Sequence, residues 1–151
     1  MMKGKILVAV CLMLALVLGF VPGAQADEAE GIGHIWAKGA GYAEIHGRGV
    51  VDISAHGVGT VWVRGAEVLR AQGQGRRWDL PDGTVVFTGW RGHVHIEGRD
   101  LVVRMLGGVI EFTAAGEGSV FLKGAGHYLI NGQPGAWLRD GIWLALEPDK
   151  S

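Results

Sequence analysis

The sequence predicts an all-β protein, and three features support that fold class. Glycine provides 27 of the 151 residues, and after Gly31 it recurs in octads that begin Gly-x-Gly. The fifth and seventh residues of most octads are apolar between polar neighbours, as in Val51 and Ile53, and this period of two is typical of a strand with one buried face. Six Trp add apolar surface that disordered chains lack, and the glycines do not follow the three-residue period of collagen.

Fourteen octads cover the chain from residue 31 to residue 147, among them GIGHIWAK, GAGYAEIH and GVGTVWVR. Short insertions interrupt them at Ala55-His56, Gly89 and Ala114-Ala115. A longer repeat contains the octads, because a shift of 59 residues aligns GVVDISAHGVGTVWVRGA with GVIEFTAAGEGSVFLKGA. After a signal segment, residues 1–26, we therefore expect a single all-β domain, residues 27–151, built from two tandem repeats at about 31–89 and 90–148.

The octad also predicts how the strands connect. A three-residue loop keeps the apolar pair on one face in successive strands, whereas a two-residue loop would alternate it. Such loops often contain a left-handed residue, and Gly occupies the third octad position in ten of the fourteen octads. The prediction is an antiparallel meander of short Gly-linked strands that folds into two packed sheets or a flattened barrel. In this meander Trp36 lies opposite Glu44, and His34 lies opposite His46.

A β-solenoid with three octads per coil is the alternative architecture. Each half of the duplication contains seven octads, and seven is not a multiple of three. A triangular coil would therefore fail to superpose the two halves. An outer-membrane barrel is disfavoured, because its strands need about nine to eleven residues each.

The N-terminal 26 residues have the pattern of a secretory signal peptide. Lys3 and Lys5 precede an apolar stretch at residues 6–21, and Ala24-Gln25-Ala26 provides a small-x-small cleavage site. Cleavage near Ala26 would release the chain into the periplasm or the extracellular space. The remaining 125 residues contain 12 basic and 15 acidic residues and no Cys. We therefore expect no disulfide bond, no nucleic-acid partner and no membrane insertion of the mature chain.

Two histidines are the candidate metal ligands. In the predicted meander His34 and His46 share a polar sheet face with Glu44 and Asp52, and imidazole and carboxylate groups are common ligands of divalent transition metals. Side-by-side polar groups are also the ordinary state of a solvated sheet face, so a metal is the less favoured interpretation. No cofactor is predicted.

No catalytic residue is predicted. The mature sequence has no Cys nucleophile, and Ser54 and Ser119 lie inside strands, without the sharp turn or helix N-terminus that activates a nucleophile. The alternative hypothesis is a carbohydrate-active or metal-dependent hydrolase that uses the polar sheet face, with close carboxylates such as Glu44 and Asp52 as its acid and base.

Aromatic residues are the unusual feature of the polar positions. Trp36, Trp62, Trp78 and Trp137 all occupy the sixth octad position, and Trp36, Trp62 and Trp137 are the candidate binding residues. An exposed Trp row would suit sugar rings or the apolar surface of a partner protein. A buried row would instead form a second core or a contact within a homo-oligomer. The sequence favours a secreted or periplasmic, non-enzymatic β-repeat module that has a structural role or binds a polysaccharide or a surface protein.

Processing provides a first test of these expectations. Because a small-x-small site precedes Asp27, intact mass spectrometry of the exported protein should give a chain that begins at Asp27. A mature protein that keeps Met1, or that carries lipid on Cys11, would contradict the predicted signal peptide.

Overall fold

The computed structural model describes residues 32–148, and within them all regular structure is β. The predicted signal segment, its cleavage site and Cys11 lie outside the described residues. The strands are β1 Gly33–His56, β2 Thr60–Arg64, β3 Val68–Asp79, β4 Val85–Ile130, β5 Gln133–Ala136 and β6 Ile142–Leu146. Over the same span, no helix is long and apolar enough to cross a membrane. The predicted all-β class is confirmed.

Two strands are far longer than an octad, and they pair with each other twice. β1 has 24 residues and β4 has 46, and they run antiparallel. Through most of β1 each residue has one β4 partner on either side: Ile35 pairs with Ala114 and with Ile130. β4 therefore flanks β1 on both edges. The two β4 partners of a given β1 residue are 16 to 18 residues apart along β4. They lie beside β1 where the predicted meander would place the neighbouring octads.

The predicted pairing of successive octads is therefore wrong. Ala40, expected at the tip of a loop, pairs with Ala125 inside the sheet. Trp36 lies between Thr113 and Leu129, and its expected partner Glu44 lies elsewhere. The reason is that the strand does not stop at the Gly-x-Gly segments, so residues on either side of them never turn back on each other.

The other strands also pair with β4: β3, β5 and β6 run antiparallel to it, whereas β2 runs parallel to it, contrary to the predicted antiparallel meander. β3 pairs with β4 from Val68 opposite Glu97 to Asp79 opposite Val85, and the chain reverses between them where the Leu80 N–H donates to the Thr84 carbonyl over 2.8 Å. β2 also has β4 on both sides, since Val61 has Phe87 and Met105 as partners. β5 and β6 pair with β4 at its C-terminal end.

The ladders divide the sheet into two sets of segments that meet only at glycine-containing bends. We call the first set layer 1; its segments are 34–38, 50–54, 68–72, 93–97, 111–115, 127–130 and 133–136. The second set is layer 2; its segments are 42–46, 60–64, 76–79, 85–88, 101–106, 118–123 and 142–146. Both layers contribute to one cluster of buried hydrophobic residues. In most segments alternate residues therefore face this shared core and the others face outward, whereas segments 76–79 and 133–136 contribute no residue to it.

The predicted inward residues are confirmed for the regular octads. Val51, Ile53 and Val63 are each at most 3% exposed, and Val61 is 8% exposed. Burying each such side chain contributes roughly 1.5–3 kcal/mol before the entropy cost of folding is subtracted.

Residues 101–105 depart from the octad frame. Leu101, Val103 and Met105 occupy positions where the frame places polar residues, yet all three are buried. The register explains the difference, because Gly39 pairs with Ile110 while Gly41 pairs with Gly107. Two residues of β4, Gly108 and Val109, thus oppose the single β1 residue Ala40. The extra residue reverses which side chains face inward.

The Gly-x-Gly segments are bends in paired strands. Gly47-Arg48-Gly49 lies directly opposite Gly116-Glu117-Gly118, and the ladder continues through both. Gly49 has a φ of 140° and Gly118 a φ of 152°, in the region that disfavours side chains. A Cβ on Gly49 would overlap the Ala115 carbonyl oxygen. The three-residue loops predicted here are therefore wrong, whereas the predicted positive φ of the third glycine is present at both positions.

The bend can be tested with one substitution and a matched control. Gly49→Ala should lower the free energy of unfolding by more than about 2 kcal/mol, because it adds a backbone overlap to an unfavourable φ. Gly108→Ala is the control: its Cβ would meet only Val58 at an ordinary 3.6 Å. Urea unfolding of both variants measures the difference, and equal stabilities would contradict the bend.

Candidate binding surface

A single row of outward residues crosses layer 2. Following the ladders, Trp143 lies beside Phe121, Phe121 beside Glu44, Glu44 beside Arg104, Arg104 beside Trp62, and Val86 separates Trp62 from Trp78. We call these seven residues the cross-strand row. Six strand spacings of about 4.8 Å give it a length of about 29 Å. It places aromatic rings on both sides of a central acid–base pair.

The aromatic rings of the row are accessible to different degrees. Trp143 is 60% exposed and Trp78 is 52% exposed, whereas Trp62 is half-buried. Trp143 packs against Phe121 with ring centroids 4.9 Å apart. Tyr42 lies 6.2 Å from Phe121 in an edge-on arrangement. The outer side of layer 2 is therefore a shallow aromatic surface.

Glu44 organises the polar centre of this surface. Tyr42, Glu44 and His46 alternate along β1 and so share its outer side. The Tyr42 hydroxyl donates a hydrogen bond to one Glu44 carboxylate oxygen, and His46 Nε2 contacts the other. Arg104 Nε lies 3.5 Å from Glu44 Oε2, on the neighbouring strand. The Glu44 side chain is only 15% exposed. These partners therefore replace much of the water that would otherwise solvate its carboxylate.

The environment shifts two pKa values in this cluster. Burial alone would raise the pKa of Glu44, but hydrogen bonds from Tyr42 and His46 and the positive charge of Arg104 outweigh it, so the pKa lies below its usual value. Burial, followed by the hydrogen bond to Glu44 and its negative charge, raises the pKa of Tyr42 to about 12. Glu44 is thus a carboxylate and Tyr42 a neutral donor at neutral pH.

A groove of about 460 Å³ lies beside Trp62. Its lining residues come from β1, β2, β4 and the turn before β4: Tyr42, Trp62, Arg64, Leu80, Asp82, Thr84, Val102 and Arg104. One indole, one phenol and two guanidinium groups therefore border the same space. Such a combination offers stacking surfaces together with charged hydrogen-bond donors.

The outer side of layer 1 is different, because it combines charged pairs with an apolar groove of about 340 Å³ beside Trp36 and Leu129. His95 Nδ1 lies 2.6 Å from Asp52 Oδ1, and its Nε2 lies 2.7 Å from Glu97 Oε1. The hydrogen bond to Glu97, then that to Asp52, raises the pKa of His95 above its ordinary value of 6.5. Glu111 contacts His56 at 3.3 Å and Lys38 at 3.9 Å. These are exposed electrostatic pairs of the kind that solvated sheets carry.

The predicted metal ligands are not together. His34 lies in layer 1 beside Ala115, whereas His46 lies in layer 2 between Val102 and Ser119. Within residues 32–148, no group of three or more His, Cys, Asp or Glu side chains could hold a metal ion. The pairing of His34 with His46 depended on the octad hairpin and is lost with it.

The three candidate binding tryptophans also separate. Trp62 belongs to the cross-strand row, but Trp36 is half-buried in layer 1, 5.9 Å from the His127 ring. Trp137 is 5% exposed, and its indole N–H donates to the His127 carbonyl over 3.2 Å, which makes it part of the core. The predicted Trp row is therefore not one surface, because octad position does not determine the layer.

Several residues of the cross-strand row were absent from the predicted site. Trp143 and Phe121 join the row through β6 and β4, and Arg104 joins it through its long-range pairing with Glu44. The alternation Tyr42, Glu44, His46 was visible in the sequence as one strand face. Phe121 also occupies the sixth octad position, matching Trp62 in the second half of the duplication, and Trp143 lies nearby in phase, so both had a local signal. Arg104 had none.

No known family model, curated protein or solved structure matches the sequence.

The His95 pair gives a pH-dependent prediction. Because the folded chain favours protonated His95, its contribution to stability is complete below about pH 6.5 and disappears as the pH rises through the higher folded-state pKa. Nuclear magnetic resonance (NMR) titration of the His95 ring should show this raised pKa, and Glu97→Gln should lower it. A wild-type ring that titrates at or below pH 6.5 would contradict the contacts.

Proposed function

We propose that the chain is an exported, non-enzymatic binding module whose layer 2 surface holds a polysaccharide. The observation that carries this proposal is the cross-strand row, in which exposed or half-buried aromatic rings flank the Glu44–Arg104 pair. Sugar rings combine apolar faces with hydroxyl groups at their edges. A surface of stacked rings and hydrogen-bonding groups is complementary to both.

The shape of the surface supports an extended ligand. The row runs about 29 Å across the strands and lies on the open side of a sheet, so a chain of sugars can lie along it and contact several rings. A protein partner could also use an aromatic surface. The central Tyr42–Glu44–His46 cluster favours a hydroxyl-rich ligand, because it presents fixed donors and acceptors between the rings.

The carboxylates support binding over hydrolysis. A glycosidase needs one carboxylic acid with a raised pKa to protonate the leaving group. The shifted carboxyl pKa values among the described residues belong to Glu44 and Asp82, and both lie below their usual values. The neighbours of Glu44 keep its side chain ionised. A carboxylate at this place can orient the guanidinium group of Arg104. Glu44, the carboxylate at the centre of the layer 2 surface, therefore does not have the raised pKa that a general acid needs.

Fluorescence titration tests the proposal. Soluble neutral and acidic polysaccharides should quench or shift the Trp fluorescence of the mature chain. Trp62→Ala should weaken binding at least tenfold, about 1.4 kcal/mol, because it removes the half-buried ring beside the central Glu44–Arg104 pair. Circular dichroism establishes that each variant is folded.

Trp36→Ala is the matched control, because Trp36 is also half-buried but lies in the other layer. Its binding should equal that of the wild-type chain. Polysaccharide binding that survives Trp62→Ala but is lost with Trp36→Ala would contradict the choice of surface. The absence of binding to every polysaccharide would contradict the glycan proposal as a whole.

A further inference from the structure

Within the layer 2 surface, the groove beside Trp62 carries more positive than negative charge. Arg64 and Arg104 line it together with a single carboxylate, that of Asp82. Asp82 accepts a hydrogen bond from the Thr84 backbone N–H over 3.0 Å. No carboxylate lies within 4.0 Å of Arg64 in the part of the chain that the structure describes. The Arg64 guanidinium therefore makes no close ion pair, and it interacts with Asp82 of the same groove only at longer range.

Arg104 is held from one side only. Its Nε faces Glu44 at 3.5 Å, and its side chain remains 52% exposed. Glu44 is itself fixed by Tyr42 and His46. This arrangement orients the guanidinium group and leaves its two terminal nitrogens available to donate hydrogen bonds to a ligand. A planar guanidinium with free terminal N–H groups matches a carboxylate in two parallel hydrogen bonds.

The indole completes the site. Trp62 pairs directly with Arg104 across the ladder, and Arg64 follows two residues later on the same outer side of β2. A sugar ring stacked on Trp62 would thus place its edge substituents between two cationic groups. A neutral sugar would offer these guanidinium groups no charged partner.

We propose that the groove formed by Trp62, Arg64 and Arg104 selects acidic polysaccharides, with the ring of a uronic acid on the indole and its carboxylate on the guanidinium groups. This inference rests on the proposed glycan function and specifies its ligand class. It also assigns Glu44 a positioning role, since the contact with Glu44 directs Arg104 toward the groove.

The test compares two forms of one polymer. Polygalacturonate carries a carboxylate on every sugar, and its fully methyl-esterified form keeps the sugar rings but has no such charges. The wild-type chain should bind polygalacturonate at least about tenfold more tightly than the ester at low salt, because charged hydrogen bonds are stronger than neutral ones. The difference should shrink as salt is added.

Arginine variants locate the effect. Arg104→Gln and Arg64→Gln should each lower affinity for polygalacturonate about tenfold and leave affinity for the ester nearly unchanged. Arg70→Gln is the control, because it removes the same charge from an exposed position in layer 1. Arg104→Lys keeps the charge without the planar fork and should fall between the wild type and Arg104→Gln. Arg104→Lys also tests the role of Arg104 if Arg104→Gln does not fold.

The outcomes separate this inference from the general proposal. Equal binding of polygalacturonate and its ester, abolished by Trp62→Ala, would overturn acidic selectivity and leave the glycan surface in place. Preference for polygalacturonate that is lost in Arg70→Gln but kept in Arg104→Gln and Arg64→Gln would overturn the assigned groove. Binding of neither polymer would overturn the acidic inference, and failure with all other polysaccharides as well would overturn the proposed function.

Discussion

Close approach of two backbones at the Gly-x-Gly bends is the constraint on which the rest of the structure depends. At Gly49 and Gly118 a side chain would overlap a carbonyl oxygen of the opposite strand, and both glycines have positive φ. These two conditions let paired strands bend without breaking their hydrogen-bond ladder. β1 and β4 can therefore remain continuous while passing between layers. The charged Arg48 and Glu117, 2.6 Å apart, form an ion pair at the same bend.

The two layers share the octad pattern but differ in the residues on their outer sides. The outer side of layer 1 carries charged pairs such as His95 with Glu97, whereas the outer side of layer 2 carries Trp62, Phe121 and Trp143 around Glu44. Inward positions differ much less, since both layers supply aliphatic residues to the same core. The repeat thus specifies the scaffold, and the outward residues of one layer are free to specify a ligand. The proposed glycan site depends on this division.

Part of the fold and of the surface could be predicted from the sequence, and there is a physical reason why the rest could not. The period of two placed Val51 and Ile53 in the core correctly, because burial acts on single strands. Partner choice involves distant segments, and all octads offer similar glycines and apolar pairs. The contact of Glu44 with Arg104 and the separation of Trp36 from Trp62 were therefore beyond the reach of a local pattern. The inversion at Leu101–Met105 was visible as apolar residues at polar octad positions, whereas the bulge that causes it lies in the pairing with a distant strand.

Both the fold and the proposed site require that Glu44 lie between Phe121 and Arg104. The most direct measurement is therefore a set of cross-strand nuclear Overhauser contacts from the backbone of Glu44 in the mature chain. We expect contacts to Phe121 on one side and to Arg104 on the other. Contacts from Glu44 to Trp36 and Asp52 would contradict the structure, because they would show that successive octads pair as local hairpins and that the cross-strand row does not exist.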